Sequence, residues 1–171
     1  MPRPDQVKGI VIHCTAGYGD VNAMKRFWRS KGWHSPGYHR VIDRNGRRYF
    51  LKDYSGYTNG VKGYNNAYIH IAYIGGVEKN NHTNAKDTRT PKQKLMLEHY
   101  ISDVMLWLKS EGQDTDVDFC VVGHRDFSPD QDDNGVIASW ERIKECPSFS
   151  AMHEYAHYTS IDRRFKLPTD K

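Results

Sequence analysis

No run of about 18 apolar residues occurs in this chain, so no transmembrane helix and no membrane partner are expected. The opening stretch Met1-Pro2-Arg3-Pro4-Asp5-Gln6 lacks the apolar centre of a secretory signal. Synthesis in a cytoplasm follows, and action outside it would need release or export by other means. Cysteine is scarce: Cys14, Cys120 and Cys146, an odd number without regular spacing, argue against a disulfide framework. The compact zinc patterns C-x-x-C and H-E-x-x-H are absent, so a metal site would have to draw on residues far apart in sequence. A basic stripe is missing too. The net charge of +4 is scattered, which argues against a nucleic-acid partner and suits an anionic surface such as a bacterial cell wall. Neither an internal repeat nor a low-complexity tract is found.

What is present fits one domain over residues 1–171, long enough for a real core and read as a monomer. The core is expected over about 7–158, with a tail over 159–171 that is polar and loose. Residues 7–14 read as a buried strand, and 20–31 as a helix capped by Asp20, stopped near Gly32, with Met24, Phe27 and Trp28 on its apolar face. Tyr38 to Ile42 and Arg48 to Leu51 read as a hairpin around Arg44-Asn45-Gly46. Residues 53–66, rich in Tyr, Gly and Asn, read as a loop, Tyr68 to Ile74 as a strand, and Glu78 to Arg89 as a polar loop. Thr90-Pro91 opens the longest helix, about 91–109, with an apolar face of Leu95, Leu97, Tyr100, Ile101, Val104, Met105 and Leu108. Phe119 to Val122 is a further strand and Phe149 to Tyr158 contains a short helix. Interleaved strands and helices with one hairpin predict an α/β fold, a mixed central sheet flanked by helices.

Three residues carry the candidate chemistry. His13 ends the apolar run Val7 to Ile12, and His124 ends Val121-Val122-Gly123. Cys146 stands between Lys144-Glu145 and Pro147-Ser148-Phe149. Cys14 and Cys120, inside apolar runs, read instead as small buried hydrophobes. Two imidazoles and a thiolate would fill three positions of a tetrahedral Zn²⁺ and leave one open, the mark of a catalytic rather than a structural site. A histidine at a strand end is more often a satisfied surface or core residue than a ligand, and residues alone leave both readings open.

The surrounding motifs resemble those of the zinc-dependent N-acetylmuramoyl-L-alanine amidases of the peptidoglycan-recognition-protein class, in particular the small amidase-type lysozymes of phages. The resemblance runs from about Gly9 to Phe149. It rests on Ile12-His13-Cys14-Thr15-Ala16, Trp28 with Lys31-Gly32-Trp33, Gly37-Tyr38-His39, Asp43-Arg44-Asn45-Gly46, Lys62-Gly63-Tyr64-Asn65, Gly75-Gly76, Thr90-Pro91-Lys92-Gln93, Gly123-His124-Arg125-Asp126 and Lys144 to Phe149, in that order. It implies zinc on His13, His124 and Cys146, with Tyr38 and Lys144 as catalytic partners beside the oxyanion of amide hydrolysis. It implies a peptidoglycan or muropeptide substrate, cleaved between the lactyl group of N-acetylmuramic acid and L-alanine, in cell-wall lysis. Without it, Tyr38 reads as a core tyrosine and Lys144 as a solvated charge. Two departures stand out. Recycling amidases of this fold carry a Glu where Ala72 stands, and phage relatives carry a His where Gly60 stands. Tyr57, Asn59, Lys62 and Tyr64 are therefore the candidate substrate contacts. A non-catalytic peptidoglycan-binding module is the rival on the same fold, disfavoured by the presence of Cys146. A cytoplasmic muropeptide-recycling amidase is a second, disfavoured by Ala72.

Between His124 and Cys146 the chain is longer than the phage enzymes. Asp130 to Glu141 matches a twelve-residue EF-hand loop, with Asp130, Asp132 and Asn134 at positions 1, 3 and 5, Gly135 at 6 and Glu141 at 12. Val136 would add its carbonyl. Ca²⁺ is the expected ligand, with a solvated acidic loop as the alternative, since Phe127-Ser128-Pro129 is no incoming helix.

Overall fold

The computed structural model describes residues 7–116 and 118–160. The N-terminal residues 1–6, read as leaderless, and the tail beyond residue 160 lie outside them. A five-stranded sheet in the order β3-β2-β4-β1-β7 organises the chain. Its strands are β1 (Gly9–Cys14), β2 (Arg40–Ile42), β3 (Arg48–Phe50), β4 (Tyr68–Tyr73) and β7 (Cys120–Gly123). β1 lies parallel to both β4 and β7, β2 is parallel to β4, and only β3 runs antiparallel, against β2. The expected mixed sheet is thus the observed one.

β1, β4 and β7 are buried on both faces, as parallel strands covered by other layers must be. Alternation divides their side chains. Ile10, Ile12, Ile69, Ile71, Tyr73 and Val121 pack against Leu97, Ile101, Val104 and Leu108 of helix α2 (Pro91–Ser110), joined by Ala151 of the short helix α3 (Ala151–Glu154). Val11, Tyr68, Cys120 and Val122 form a cluster on the opposite face. There Val41 and Ala72 meet Val21 of helix α1 (Val21–Ser30). The same alternation puts His13, two residues beyond Val11, and His70, two beyond Tyr68, on this second face.

Local signals explain the helix ends. Asp20 accepts the Ala23 N–H at 2.7 Å. Thr90 and Gln93 make a reciprocal capping box, with Pro91 in the first turn. Gln93 is fully buried and its side chain also donates to the carbonyls of Ile42 and Ile74, tying α2 to the ends of β2 and β4. The Asn45-Gly46 turn closes the β2–β3 hairpin, with Gly46 at φ 82°.

Two expectations need correction. Residues 78–89 are not all loop: β5 (Val77–Glu78) and β6 (Asn81–Ala85) form a second, two-stranded sheet. β6 is exposed throughout, so it has no apolar alternation to announce it. Leu95 and Phe27 belong to no core-facing stripe, being 61% and 55% exposed. The Phe149–Tyr158 segment contains the expected short helix, α3, followed by a 3-10 turn at Ala156–Tyr158. Among the described residues, no helix is long and apolar enough to cross a membrane.

Candidate metal centre and active site

β1 and β7 are parallel neighbours, so their C-terminal ends lie on one edge of the sheet. His13 stands near the end of β1, and His124 begins the 3-10 turn that follows β7. Their rings meet edge to face with centroids 4.9 Å apart. Cys146 arrives from the far end of the acidic loop. Its carbonyl accepts the Arg125 N–H at 2.7 Å, which fixes it beside the turn that carries His124. Ligand atoms of His13, His124 and Cys146 all lie within 4.8 Å of one another, a spacing at which one metal ion can be held by all three. The Sγ of Cys146 is 3.8 Å from Nδ1 of His13 and accepts the Cys14 N–H at 3.2 Å.

The electrostatics suit ligation. Burial drives His13 well below the ordinary histidine range, with His124, His70 and Lys144 adding to it. Burial takes His124 down to about 4, again helped by Lys144. Both imidazoles are therefore neutral at pH 7 and carry a free lone pair. Burial pushes the Cys146 thiol well above its usual range when no cation is at hand, and a metal reverses that by binding the thiolate. The donor set, two nitrogens and one soft sulfur, fits zinc and leaves a coordination position open.

Tyr38 is half-buried, with its ring 4.9 Å from that of His13. Burial holds its phenol far above the ordinary tyrosine range, so the hydroxyl stays protonated. Lys144 is exposed, yet its charge reaches His13, His124 and Cys146. Ala72 pairs in register with His13 and is wholly buried. No carboxylate stands at that position.

The other predicted site residues divide. Tyr57 and Lys62 are exposed. Asn59 is committed to the frame: its Nδ2 donates to the Ser35 carbonyl at 2.9 Å and its N–H to that of Pro36 at 2.9 Å. The Tyr64 ring packs on Phe127 and Tyr68, with centroids at 4.5 and 6.3 Å. Asp130, Asp132 and Glu141 bring oxygens within 4.8 Å of one another. Their loop is already closed by its own backbone. Asp130 accepts from the N–H groups of Asn134 and Gly135, and Glu141, 2% exposed, accepts from those of Gln131 and Ala138. The flanks are 3-10 turns, His124–Phe127 and Ser139–Glu141, not the paired helices of an EF-hand. Val136 is exposed.

Sequence reasoning passed over His39, His70 and Arg89. His70 had a readable signal, a lone imidazole inside the otherwise apolar run Tyr68–Tyr73.

A His-His-Cys set at the C-terminal edge of a mixed sheet, His13 buried and His124 and Cys146 half-buried, with a protonated tyrosine beside it, has the layout of a metal-dependent hydrolase. The chain belongs to the N-acetylmuramoyl-L-alanine amidase family, whose profile matches residues 3–148, and it is an enzyme of that class. Among its relatives, the endolysin of Klebsiella phage KP32 is 28% identical over 97 residues, covering 54% of this chain and 64% of that protein. The endolysin of Enterobacteria phage K11 is 24% identical over 142 residues, covering 81% of this chain and 78% of that protein. The fold is shared with the N-acetylmuramoyl-L-alanine amidase LysC from Clostridium intestinale URNW, at TM-score 0.63 and 20% identity, covering 89% of this chain and 83% of LysC.

Proposed function

We propose that the chain is a zinc-dependent peptidoglycan hydrolase. It cleaves the amide between the lactyl group of N-acetylmuramic acid and the L-alanine of the stem peptide. The observation that carries this is the convergence of His13, His124 and Cys146 beside Tyr38, in a chain of this family. When bound, zinc supplies Lewis acidity to the scissile amide and a water of lowered pKa.

The chain's own residues do the rest. His13 and His124 present neutral nitrogens, and the Cys14 N–H steadies the charge on Cys146 Sγ. Tyr38 offers its phenolic proton to the amide oxygen as negative charge grows there. Lys144 contributes a cation at the rim, where it favours the same charge. Tyr57 and Lys62 are the exposed candidates for contact with the glycan or stem peptide. We read the protein as a monomer that acts on the cell wall after release or delivery, as fits relatives named endolysins.

Digestion of purified sacculi followed by mass spectrometry of the products tests this reading. The expected products are free stem peptides with an L-alanine amino terminus and glycan strands with bare lactyl groups. Products whose lactyl–alanine amides are all intact would sink it.

Calcium at Asp130, Asp132, Asn134, Val136 and Glu141 rests on the loop's own oxygens. Calorimetry on zinc-loaded protein decides it. A binding heat that disappears in Glu141→Gln supports calcium, whereas no heat up to millimolar Ca²⁺ leaves Glu141 as a clasp for two backbone N–H groups.

A further inference from the structure

His70 sits in the middle of β4 with no exposed surface, an expensive place for an imidazole. Register explains where it points. Val11 of β1 pairs with His70, so His13, two residues on, is its diagonal neighbour on the same face. The Nε2 of His13 lies 3.0 Å from Nδ1 of His70. The other nitrogen of His13, Nδ1, is the one that faces Cys146.

The surroundings are shaped to seat this ring. A Cβ on Gly60 would come within 2.2 Å of Nδ1 and 2.3 Å of Cγ of His70, so the loop above has no side chain where the imidazole stands. The His39 ring stacks alongside at 6.1 Å and 12°. Its Nδ1 accepts the backbone N–H of His70 at 3.0 Å, and its Nε2–H donates to the Gly56 carbonyl at 2.9 Å.

We propose that His70 is a positioning residue for the metal: its Nδ1 accepts the Nε2–H of His13 and so commits His13 to bind through Nδ1. The proton assignment follows from valence. If His70 carried its proton on Nδ1, it would donate to His13 Nε2, and the His13 proton would block the nitrogen that faces Cys146. With the acceptor at Nδ1, the His70 proton resides on Nε2. That atom is buried and has no hydrogen-bond partner among the described residues. An unpaired buried N–H needs a reason. Here the reason is that the opposite nitrogen of the ring is needed to orient a ligand.

The inference rests on the zinc reading of the triad, and the test separates the two. The full chain and its His70→Leu, His70→Asn and Gly60→Ala variants are titrated with zinc against a competing chelator. Melting of each metal-free protein monitors folding. The Asn carboxamide oxygen falls near the place of His70 Nδ1 and can accept the same bond. Zinc affinity should fall roughly 10–100-fold in His70→Leu. It should recover most of the way in His70→Asn, and fall again in Gly60→Ala, whose methyl displaces the ring. The Co²⁺-loaded proteins should show the same grouping in their visible spectra. An unchanged affinity in His70→Leu overturns the inference while leaving the zinc reading standing, as does equal loss in the Leu and Asn variants. A wild type that holds no zinc overturns both. If His70→Leu does not fold, His70→Asn and Gly60→Ala decide, and equal affinities in the two overturn the inference.

Discussion

Replacing Cys146 by serine should leave a folded protein that neither holds zinc nor digests cell wall. The substitution removes the one soft donor of the triad. It keeps an atom that can accept the Cys14 N–H, now at 3.2 Å from the sulfur, so the local frame need not collapse. A neutral hydroxyl is a poor replacement for a thiolate against zinc, and His13 with His124 alone make a weak pair. The loss should exceed the ~10–100-fold typical of removing an outer partner of a metal ligand. Metal content after dialysis and release of stem peptides from sacculi measure the two effects, and melting of the metal-free protein serves as control. Full zinc occupancy together with wild-type turnover in Cys146→Ser would place the metal elsewhere.

The second large effect is expected from a residue outside the site. The Arg89 side chain is 1% exposed and lies between Asp87 and Glu154, with nitrogen–oxygen distances of 2.8 Å to each. Its guanidinium carbon lies over the Phe149 ring, 3.3 Å from the centroid, and the group also donates to the Tyr155 hydroxyl at 3.2 Å. Phe149 lies three residues after Cys146, so Arg89 clamps the chain that has just delivered the third member of the triad. Arg89→Leu fills part of the space but strips two carboxylates of their partner. Both are partly exposed, 33% and 41%, and can regain water, which keeps the cost at the low end for a broken buried pair, about 3 kcal/mol. A fall in Tm of roughly 6–12 °C follows for a chain of this size. Asp87 adds a pH signature. Burial opposes its charge, but the bonds from Arg89 win and hold its carboxyl below the ordinary range. Its stabilisation is present above that range and fades as pH falls through the lowered value. The wild type should therefore lose stability on acidification more steeply than Arg89→Leu. A variant that melts with the wild type at pH 7 would show the clamp to be ornamental.

How much of this is legible in the sequence depends on what each residue packs against. β1, β4 and β7 announced themselves as apolar runs because both their faces are covered. α2 was bounded by Thr90, Pro91 and Gln93, whose capping is local chemistry. The triad was legible only as three isolated suggestions, because strand order places His13 beside His124 and no spacing in the sequence encodes it. β6 was invisible, being exposed and polar along its whole length. Leu95 and Phe27 misled for the opposite reason: an apolar residue is free to face water when neighbouring positions already fill the core. The acidic loop matched a pattern of ligand positions, but the carboxylate oxygens already answer to backbone N–H groups, which no pattern of residue types reveals.

The donors His13 and Cys146 meet across 133 positions of chain. Closing so long a span costs entropy that is recovered only once the parallel ladder β4-β1-β7 exists. No fragment of the sequence can therefore bring His13, His124 and Cys146 together in advance of the sheet, and in a growing chain the triad stays incomplete until residue 146 has emerged and docked. The zinc proposed for this site would bind the finished fold and not its precursors, and so act by mass action as a latch on the native state. In this molecule the assembly of the His-His-Cys set and the completion of folding are the same event.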